Sequence, residues 1–383
     1  MKVVTIQKDN IRIKSVKTRR DLMRFIKFPW KIYENSPYWV PPLISDQKKM
    51  FSSKYPFWQH AEGELFIAER ESEVVGRVSV AIDYNFCKTF QEKTGFFGFF
   101  ECIEDFRVAS ALLEVVKIWG RERGLERMIG PISPSTNDVL GILVEGFEKR
   151  PMIMMPYNPP YYLKFMQELG LNKQQTLLAY EMPISQEIFK KLSERVEILK
   201  RRTSLKEVSV HHFDLKDFKR EVERLREVYN DAWLGHWGFV PWEKEELWEI
   251  AKGLKMFLVP ELTVYAEFQG ETIGVLIAIP DYNQALKEMN GKITFSALCK
   301  FLFHKWKIKD VRLMIMGVKQ RFQRRGVEGL MYQKVFESAL NLGYEGGICE
   351  LSWILEDNWP VRRAAEHMGG KISKIYNIYE LSL

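Results

Sequence analysis

From Met314 to Met331 the sequence reads MIMGVKQRFQRRGVEGLM: an apolar run, a glycine-bearing bend, then a second apolar run at helical spacing. Glycine at a strand-to-helix junction lets backbone N–H groups approach a phosphate closely, and the first helical turn adds partial positive charge. Arg321, Arg324 and Arg325 deepen that field, so the segment suits an anion such as a diphosphate. Solvated arginines beside an ordinary turn are the alternative. No Gly-Lys-Ser/Thr follows and no Gly-x-Gly-x-x-Gly is present, which excludes the Walker loop and the dinucleotide fingerprint.

Other residues offer proton transfer. Glu350, at the start of the strand-like GGICELSW, is a candidate general base, and Asp281 with Tyr282, at the end of an earlier strand, are the alternatives. Each has a structural reading too: Asp-Tyr-Asn after a strand is turn chemistry, and a strand carboxylate can serve an ion pair. His236 sits in the aromatic stretch WLGHWGFVPW, which, like ENSPYWVPPL, could wall a substrate pocket or pack a core. Ser133, Ser135, Asn137 and Asp138 in GPISPSTND make a candidate ligand loop. The four cysteines lie far apart with no C-x-x-C pair, so reduced thiols and no metal are expected.

These residues sit on a chain that repeats itself. Ala68 to Asn85 (AERESEVVGRVSVAIDYN) and Ala266 to Asn283 (AEFQGETIGVLIAIPDYN) match at a constant offset, with seven of eighteen positions identical. Chance would supply about one. The offset persists on both sides and widens after Asn283, where the second copy carries an insertion containing ITFSALCKFLFHKW, Ile293 to Trp306. Each copy reads as α/β. An early helix (Arg20 to Glu34; Leu215 to Trp233) precedes a hairpin, a third strand (Gly95 to Cys102; Val311 to Val318) and a long amphipathic helix (Val108 to Arg123; Val327 to Leu342). Another strand (Met128 to Ile132; Gly347 to Trp353), a short helix ending at Gly170 or Gly369, and a last strand follow. The expected domains are 1–185 and 205–383, with a helical linker over 186–204.

Composition agrees with a globular chain. Of 383 residues, 46% are hydrophobic and 28% charged, and the formal net charge of +7 is too mild to call for nucleic acid while suiting an anionic small molecule. No run of about 18 apolar residues exists to span a membrane and no secretory leader opens the chain, so a cytoplasmic protein is expected. The Ile293 to Trp306 segment, broken by Lys300, His304 and Lys305, could lie in a bilayer interface or pack against its own protein or a second copy. A homodimer is therefore a candidate assembly.

The bend and its surroundings resemble the GNAT superfamily of acyl-CoA-dependent N-acetyltransferases. Val318, Phe322, Gln323 and Gly326 stand at the spacing of the family's Val-x-Pro-x-Tyr/Phe-Arg/Gln-x-x-Gly-x-Gly/Ala. Asn358 and Gly369 match its Asn eleven residues before a glycine, and the order of elements agrees across both copies. GPISPSTNDVLGILVEGF followed by MMPYNPPYYLKFMQELG is similar to a bacterial branch with two such units. The resemblance implies an α/β (α+β) fold of two GNAT-like acyl-CoA N-acyltransferase domains, each a mixed twisted sheet flanked by helices. It implies acetyl-CoA or another acyl-CoA as substrate, held by Met316, Val318, Gln323, Arg324, Arg325, Gly326, Val327, Gly329 and Asn358, and a small-molecule or peptide amine as acceptor.

The sequence departs from that pattern at particular residues. Glu328 stands where the family has a second Gly or Ala, and in the first copy Arg107 stands where Gly326 does. The general-acid Tyr four residues before the final Gly is Ala365 here and Met166 in the first copy. The second copy is thus the expected acyl-CoA site, with direct transfer to an amine. A non-catalytic ligand-binding or scaffold protein on a decayed fold, and carrier- or tRNA-dependent aminoacyl transfer, are the other readings.

Overall fold

The computed structural model describes residues 6–8, 10–202 and 204–383. The first copy contains β1 (Ile6–Lys8), β2 (Ile11–Ser15), α1 (Arg19–Lys27), α2 (Pro29–Ile32), α3 (Ile44–Met50), β3 (Ala61–Arg70), β4 (Glu73–Asp83) and α4 (Tyr84–Phe90). It continues with β5 (Thr94–Cys102), α5 (Phe106–Glu122), β6 (Arg127–Gly130), β7 (Ile132–Ser133), β8 (Val139–Leu140), β9 (Ile142–Glu145), α6 (Tyr161–Glu168) and β10 (Asn172–Pro183). The expected single helix over Arg20 to Glu34 is two, because Pro29 has no N–H to donate within a helix and opens α2 instead. Pro131 likewise ends β6 at Gly130, short of the expected Ile132.

Next comes α7 (Gln186–Arg202), then the second copy: β11 (Val208–His212), α8 (Phe218–Ala232), α9 (Lys244–Leu254), β12 (Thr263–Phe268), β13 (Glu271–Pro280), α10 (Asn283–Met289) and α11 (Phe295–Lys305). The chain closes with β14 (Val311–Val318), α12 (Val327–Asn341), β15 (Ile348–Leu355), α13 (Trp359–His367) and β16 (Lys371–Ser382). Sequence and structure agree on β14 residue for residue.

The chain folds as two compact units that do not follow the boundaries of the copies. One comprises residues up to 177 with Leu286–Phe301 and Lys374–Leu383, and the other comprises Leu178–Ala285 with Leu302–Ser373. The end of the last strand of each copy therefore belongs to the unit built mainly from the other copy. In the first unit β16 runs antiparallel to β6, pairing Tyr379 with Gly130 and Leu381 with Met128. In the second, Leu178–Pro183 of β10 lies beside β15. Leu286–Phe301 of the inserted segment is held within the first unit, where Trp30 Nε1 donates to Asn290 Oδ1 at 2.7 Å, and the Ile44 N–H to the Gly291 carbonyl at 3.0 Å.

Both units bury one long helix on a mixed sheet. In the first, α5 buries Val108, Leu112, Val115, Val116 and Trp119. In the second, α12 buries Val327, Leu330, Met331, Val335 and Ala339, the face that its spacing predicts. The repeated glycine of the hairpin explains itself here. A Cβ on Gly76 would lie 2.9 Å from both Leu112 and Val108, and one on Gly274 3.1 Å from Met331. Helix and sheet approach too closely at that point for a side chain.

In each unit one parallel pair parts midway. Strand β5 pairs with β6 only through Thr94, Gly95 and Phe96. Strand β14 pairs with β15 only through Val311, Arg312 and Leu313, while it pairs with β13 along its whole length. Splayed strands of this kind leave main-chain groups for a ligand to meet.

Candidate active site

In the second unit, residues Met314 to Val318 of β14 lie beyond the last pair with β15. The loop after α8 reaches this stretch: the Trp233 ring sits where a Cβ on Gly317 would be, 2.2 Å from its ideal position, so glycine is required. Two side chains fasten loop to strand. Gln323 Nε2 donates to the Val318 carbonyl at 3.0 Å and to that of Ala232 at 3.4 Å, and the Gln320 N–H donates to Asp231 Oδ1 at 2.6 Å. His236 lies half-buried in that loop, its N–H bonded to the Trp233 carbonyl at 2.9 Å. Burial holds its imidazole below the ordinary value of 6.5, and the charge of Asp357, beyond the end of β15, pulls it the other way. Sequence reading places His236 only in an aromatic wall, because its neighbour Asp357 is far along the chain.

The glycine-bearing bend has the expected backbone, with Gly326 at φ 90° as N-cap of α12 and without a side-chain cap of its own. An internal carboxylate fills the role of the anion. Glu328 accepts hydrogen bonds from the backbone N–H of Arg324 and from its own, while burial raises its pKa above the ordinary value. Helix α7 and Leu205 just after it then cover the bend: a Cβ on Gly326 would lie 3.1 Å from Leu205 and 3.3 Å from Leu199, and one on Gly329 3.3 Å from Val196. Phe189 stacks on Phe336, and Arg195 donates to the His367 carbonyl at 2.9 Å, fixing α7 in place. The expected cradle for a diphosphate is thus closed by Glu328 and apolar side chains.

Cationic groups remain at its rim. Arg321 pairs with Glu271, as does Lys319 at 3.0 Å. Arg324 and Arg325 make no ion pair among the described residues, and the Arg325 guanidinium lies 5.4 Å from the Phe322 ring centroid. Met316 is half-buried on the unpaired stretch of β14, whereas Val318 and Val327 are buried. Asn358 caps α13, accepting from the Val361 N–H at 3.4 Å.

Because Glu328 keeps a buried charge, its ionisation weakens the fold. Its raised pKa means that the folded chain holds the proton more tightly, so stability is lost as pH rises from about 4.5 through the folded value. Glu328→Gln is expected to gain melting temperature relative to the parent as pH goes from about 5 to 7.5. Parallel profiles for the two proteins would show that Glu328 carries no such cost.

The carboxylates expected to act as bases are enclosed. Glu350 is fully buried; it accepts from the Ser352 hydroxyl at 2.8 Å, and that hydroxyl accepts from Arg312 Nε at 2.9 Å. This arrangement holds strands together and offers the carboxylate no open path to a substrate. Asp281 and Tyr282 are each 2% exposed, and burial pushes the Tyr282 phenol up to about 12. Their first-copy counterpart shows what the repeated Asp-Tyr-Asn does, since Asp83 caps α4 through the N–H groups of Asn85 and Phe86.

The corresponding places in the first unit are also filled. Asp105 caps α5 through the Arg107 N–H and pairs with Arg70 at 2.6 Å and Arg107 at 2.9 Å, which holds its carboxyl well below the usual range. Beyond the β5–β6 pairing, Glu101 accepts from the Tyr33 hydroxyl at 2.9 Å and the Tyr162 hydroxyl at 2.7 Å, with Arg77 at 3.9 Å. Burial raises its pKa. Sequence reading misses this cluster; the signal was a lone carboxylate in the aromatic strand GFFGFFEC. In the ligand loop, Ser133 Oγ instead accepts from the Phe99 N–H at 2.9 Å, and Ser135 bonds Asp138 at 2.7 Å. Among the described residues no group of His, Cys, Asp and Glu is placed to hold a metal.

No family model matches the chain. The bacterial ceramide synthase of Caulobacter vibrioides is 34% identical over 376 residues, covering 96% of both chains. Protein YghO of Escherichia coli is 30% identical over 380 residues, covering 96% of this chain and 94% of that one. The chain belongs to the family of these two proteins. Among solved structures, a tandem GNAT protein from the clavulanic acid biosynthesis pathway superposes with a TM-score of 0.57 at 11% identity, over 97% of this chain and 98% of that one. A GCN5-related N-acetyltransferase from Sphaerobacter thermophilus gives 0.52 at 11% identity, over 98% and 97%. The fold is that of the tandem GNAT superfamily, and this ceramide synthase and YghO family member carries it with a carboxylate at both long-helix N-termini.

Proposed function

We propose that this protein is an N-acyltransferase that joins a fatty acyl group from coenzyme A to the amine of a long-chain amino alcohol. The observation that carries the reading is the similarity to the bacterial ceramide synthase along nearly all of both chains. A ceramide is an amide of that kind. The GNAT fold supports acyl transfer but not the choice of acceptor. Acyl-CoA donors place the reaction in the cytoplasm.

The stretch of β14 beyond its pairing with β15, the Trp233 to Trp242 loop and Asp357 support a meeting point of thioester and amine there. His236, kept neutral by burial, takes the proton of the attacking nitrogen. The nitrogen forms a bond to the thioester carbonyl carbon, the carbon–sulfur bond breaks, and the departing thiolate takes a proton from the imidazolium. That route needs no phenol at Ala365. With the bend occupied by Glu328, the diphosphate is met by Arg324 and Arg325 at the rim. Arg324→Glu with Arg325→Glu is expected to raise KM for the acyl-CoA about tenfold, with kcat changed less than about twofold. An unchanged KM would remove the rim from the site.

The closed cradle and the alanine at position 365 favour the non-catalytic reading. Incubating the protein with palmitoyl-CoA and a long-chain amino alcohol, and following thiol release and amide by mass spectrometry, separates the two. Thiol and amide in equal amounts support transfer. Retained acyl-CoA binding with neither product supports a scaffold.

A further inference from the structure

We propose that α11 is a docking element that seats the protein on the surface of an anionic lipid bilayer. Phe295, Leu298, Leu302 and Phe303 of α11, with Trp306 in the turn just after it, follow one another at helical spacing and are exposed, Phe295 84%, Phe303 63% and Trp306 85% accessible. Ala297 and Phe301, on the opposite side of the same helix, are buried and anchor it. The stripe is therefore displayed by a helix that is already packed. Single exposed apolar residues need no explanation, but three large aromatics on one face are the mark of an interaction surface.

Charge selects the partner. From Met289 to Lys309 there is no Asp or Glu, and the segment carries Lys292, Lys300, Lys305, Lys307 and Lys309. On a helical projection Lys300 and Lys305 fall on the two borders of the stripe; Lys300 is exposed, and the half-buried Lys305 holds its ammonium 5.7 Å from the Tyr282 ring centroid. The Lys307 ammonium sits 4.3 Å from the Phe303 ring centroid, keeping it at the same edge. Aromatic residues and lysines in this disposition suit the headgroup and upper acyl region of a membrane containing acidic phospholipid. A second copy of the chain would bring the same uniformly positive segment to meet itself. Among the described residues no helix is long and apolar enough to cross a membrane, so the element lies on the surface.

The inference stands on exposure and charge and does not depend on the acyl-transfer reading. It is tested with the full chain by flotation with vesicles of phosphatidylglycerol and phosphatidylcholine in equal parts, against phosphatidylcholine alone. Binding to the acidic vesicles is expected to exceed binding to the neutral ones about tenfold or more and to weaken in high salt. Phe295→Ser, Phe303→Ser and Trp306→Ser together are expected to lower it by a similar factor, as are Lys300→Glu and Lys305→Glu. Four of the five are exposed and Lys305 is half-buried, and unchanged circular dichroism and melting will establish that the variants fold. An environment-sensitive dye on the exposed Cys299, within the stripe, is expected to brighten on acidic vesicles. Failure of the parent to bind acidic vesicles, or equal binding by the triple serine variant, overturns the proposal. So does a parent dimer that becomes monomeric in that variant without vesicle binding, which would make the face a subunit contact.

Discussion

His236→Ala is expected to lower kcat by about 10²- to 10⁴-fold, the range of a lost general base, with KM for the acyl-CoA altered less than about twofold. The imidazole sits half-buried in the loop that Trp233 presses onto Gly317 of β14, and burial keeps it neutral at physiological pH. Its lowered pKa fixes the direction of the pH dependence: the basic form is present above the folded value, so activity in the parent should fall on an acid limb lying below pH 6.5. In the alanine variant that limb should vanish along with most of the rate. His236→Asn, which keeps a polar side chain without a titrating base, should behave like alanine. Unaltered turnover in either variant, with the acid limb intact, would reduce the loop to a wall and return the search for a base to the rest of the splayed region.

Glu101→Ala is expected to lower stability by about 3–5 kcal/mol, the cost typical of breaking a buried ion pair from one side. Arg77 is 5% exposed, bonded to the Phe25 carbonyl at 3.0 Å and lying 5.0 Å from the Phe25 ring centroid, so it cannot swing to water when the carboxylate is removed. The Tyr33 and Tyr162 hydroxyls lose an acceptor in the same stroke. Glu101→Gln retains an oxygen for the phenols and should cost less, about 1–3 kcal/mol. Urea unfolding of the three proteins measures the difference. A loss under about 1 kcal/mol for the alanine variant would mean that solvent reaches Arg77 and that the cluster contributes little. Both outcomes bear on the first unit alone.

Much of the framework was legible in residue order because it rests on local patterns. Two short apolar runs rich in β-branched residues, LTVYAEF and TIGVLIAI, joined by a tight turn mark a hairpin, and the spacing of Val327, Leu330, Met331, Val335 and Ala339 marks the buried face of α12. Gly76 and Gly274 are identical between the two copies, and the structure shows that helix and sheet meet too closely there for a side chain. The candidate site was less legible. Glu350, Asp281 and Tyr282 stand out by residue type and place on a strand, and neither property reveals burial. Gly326 stands out as a glycine at a bend and adopts the positive φ, but nothing in the local pattern discloses what lies over it.

By itself, then, the amino-acid order determined two α/β copies, their helical faces, a connecting helix, the glycine bend and a basic apolar insertion, all set by interactions among neighbours in the chain. Only tertiary structure decided that the copies exchange the ends of their last strands and that α7 lies across the bend with Val196 and Leu199 against its glycines. It alone set Glu328 in the cradle, Asp357 within electrostatic reach of His236, and Arg77 beside Glu101. Such pairings depend on which surfaces bury together, and burial is decided by packing between segments whose separation along the chain carries no record of their distance in space.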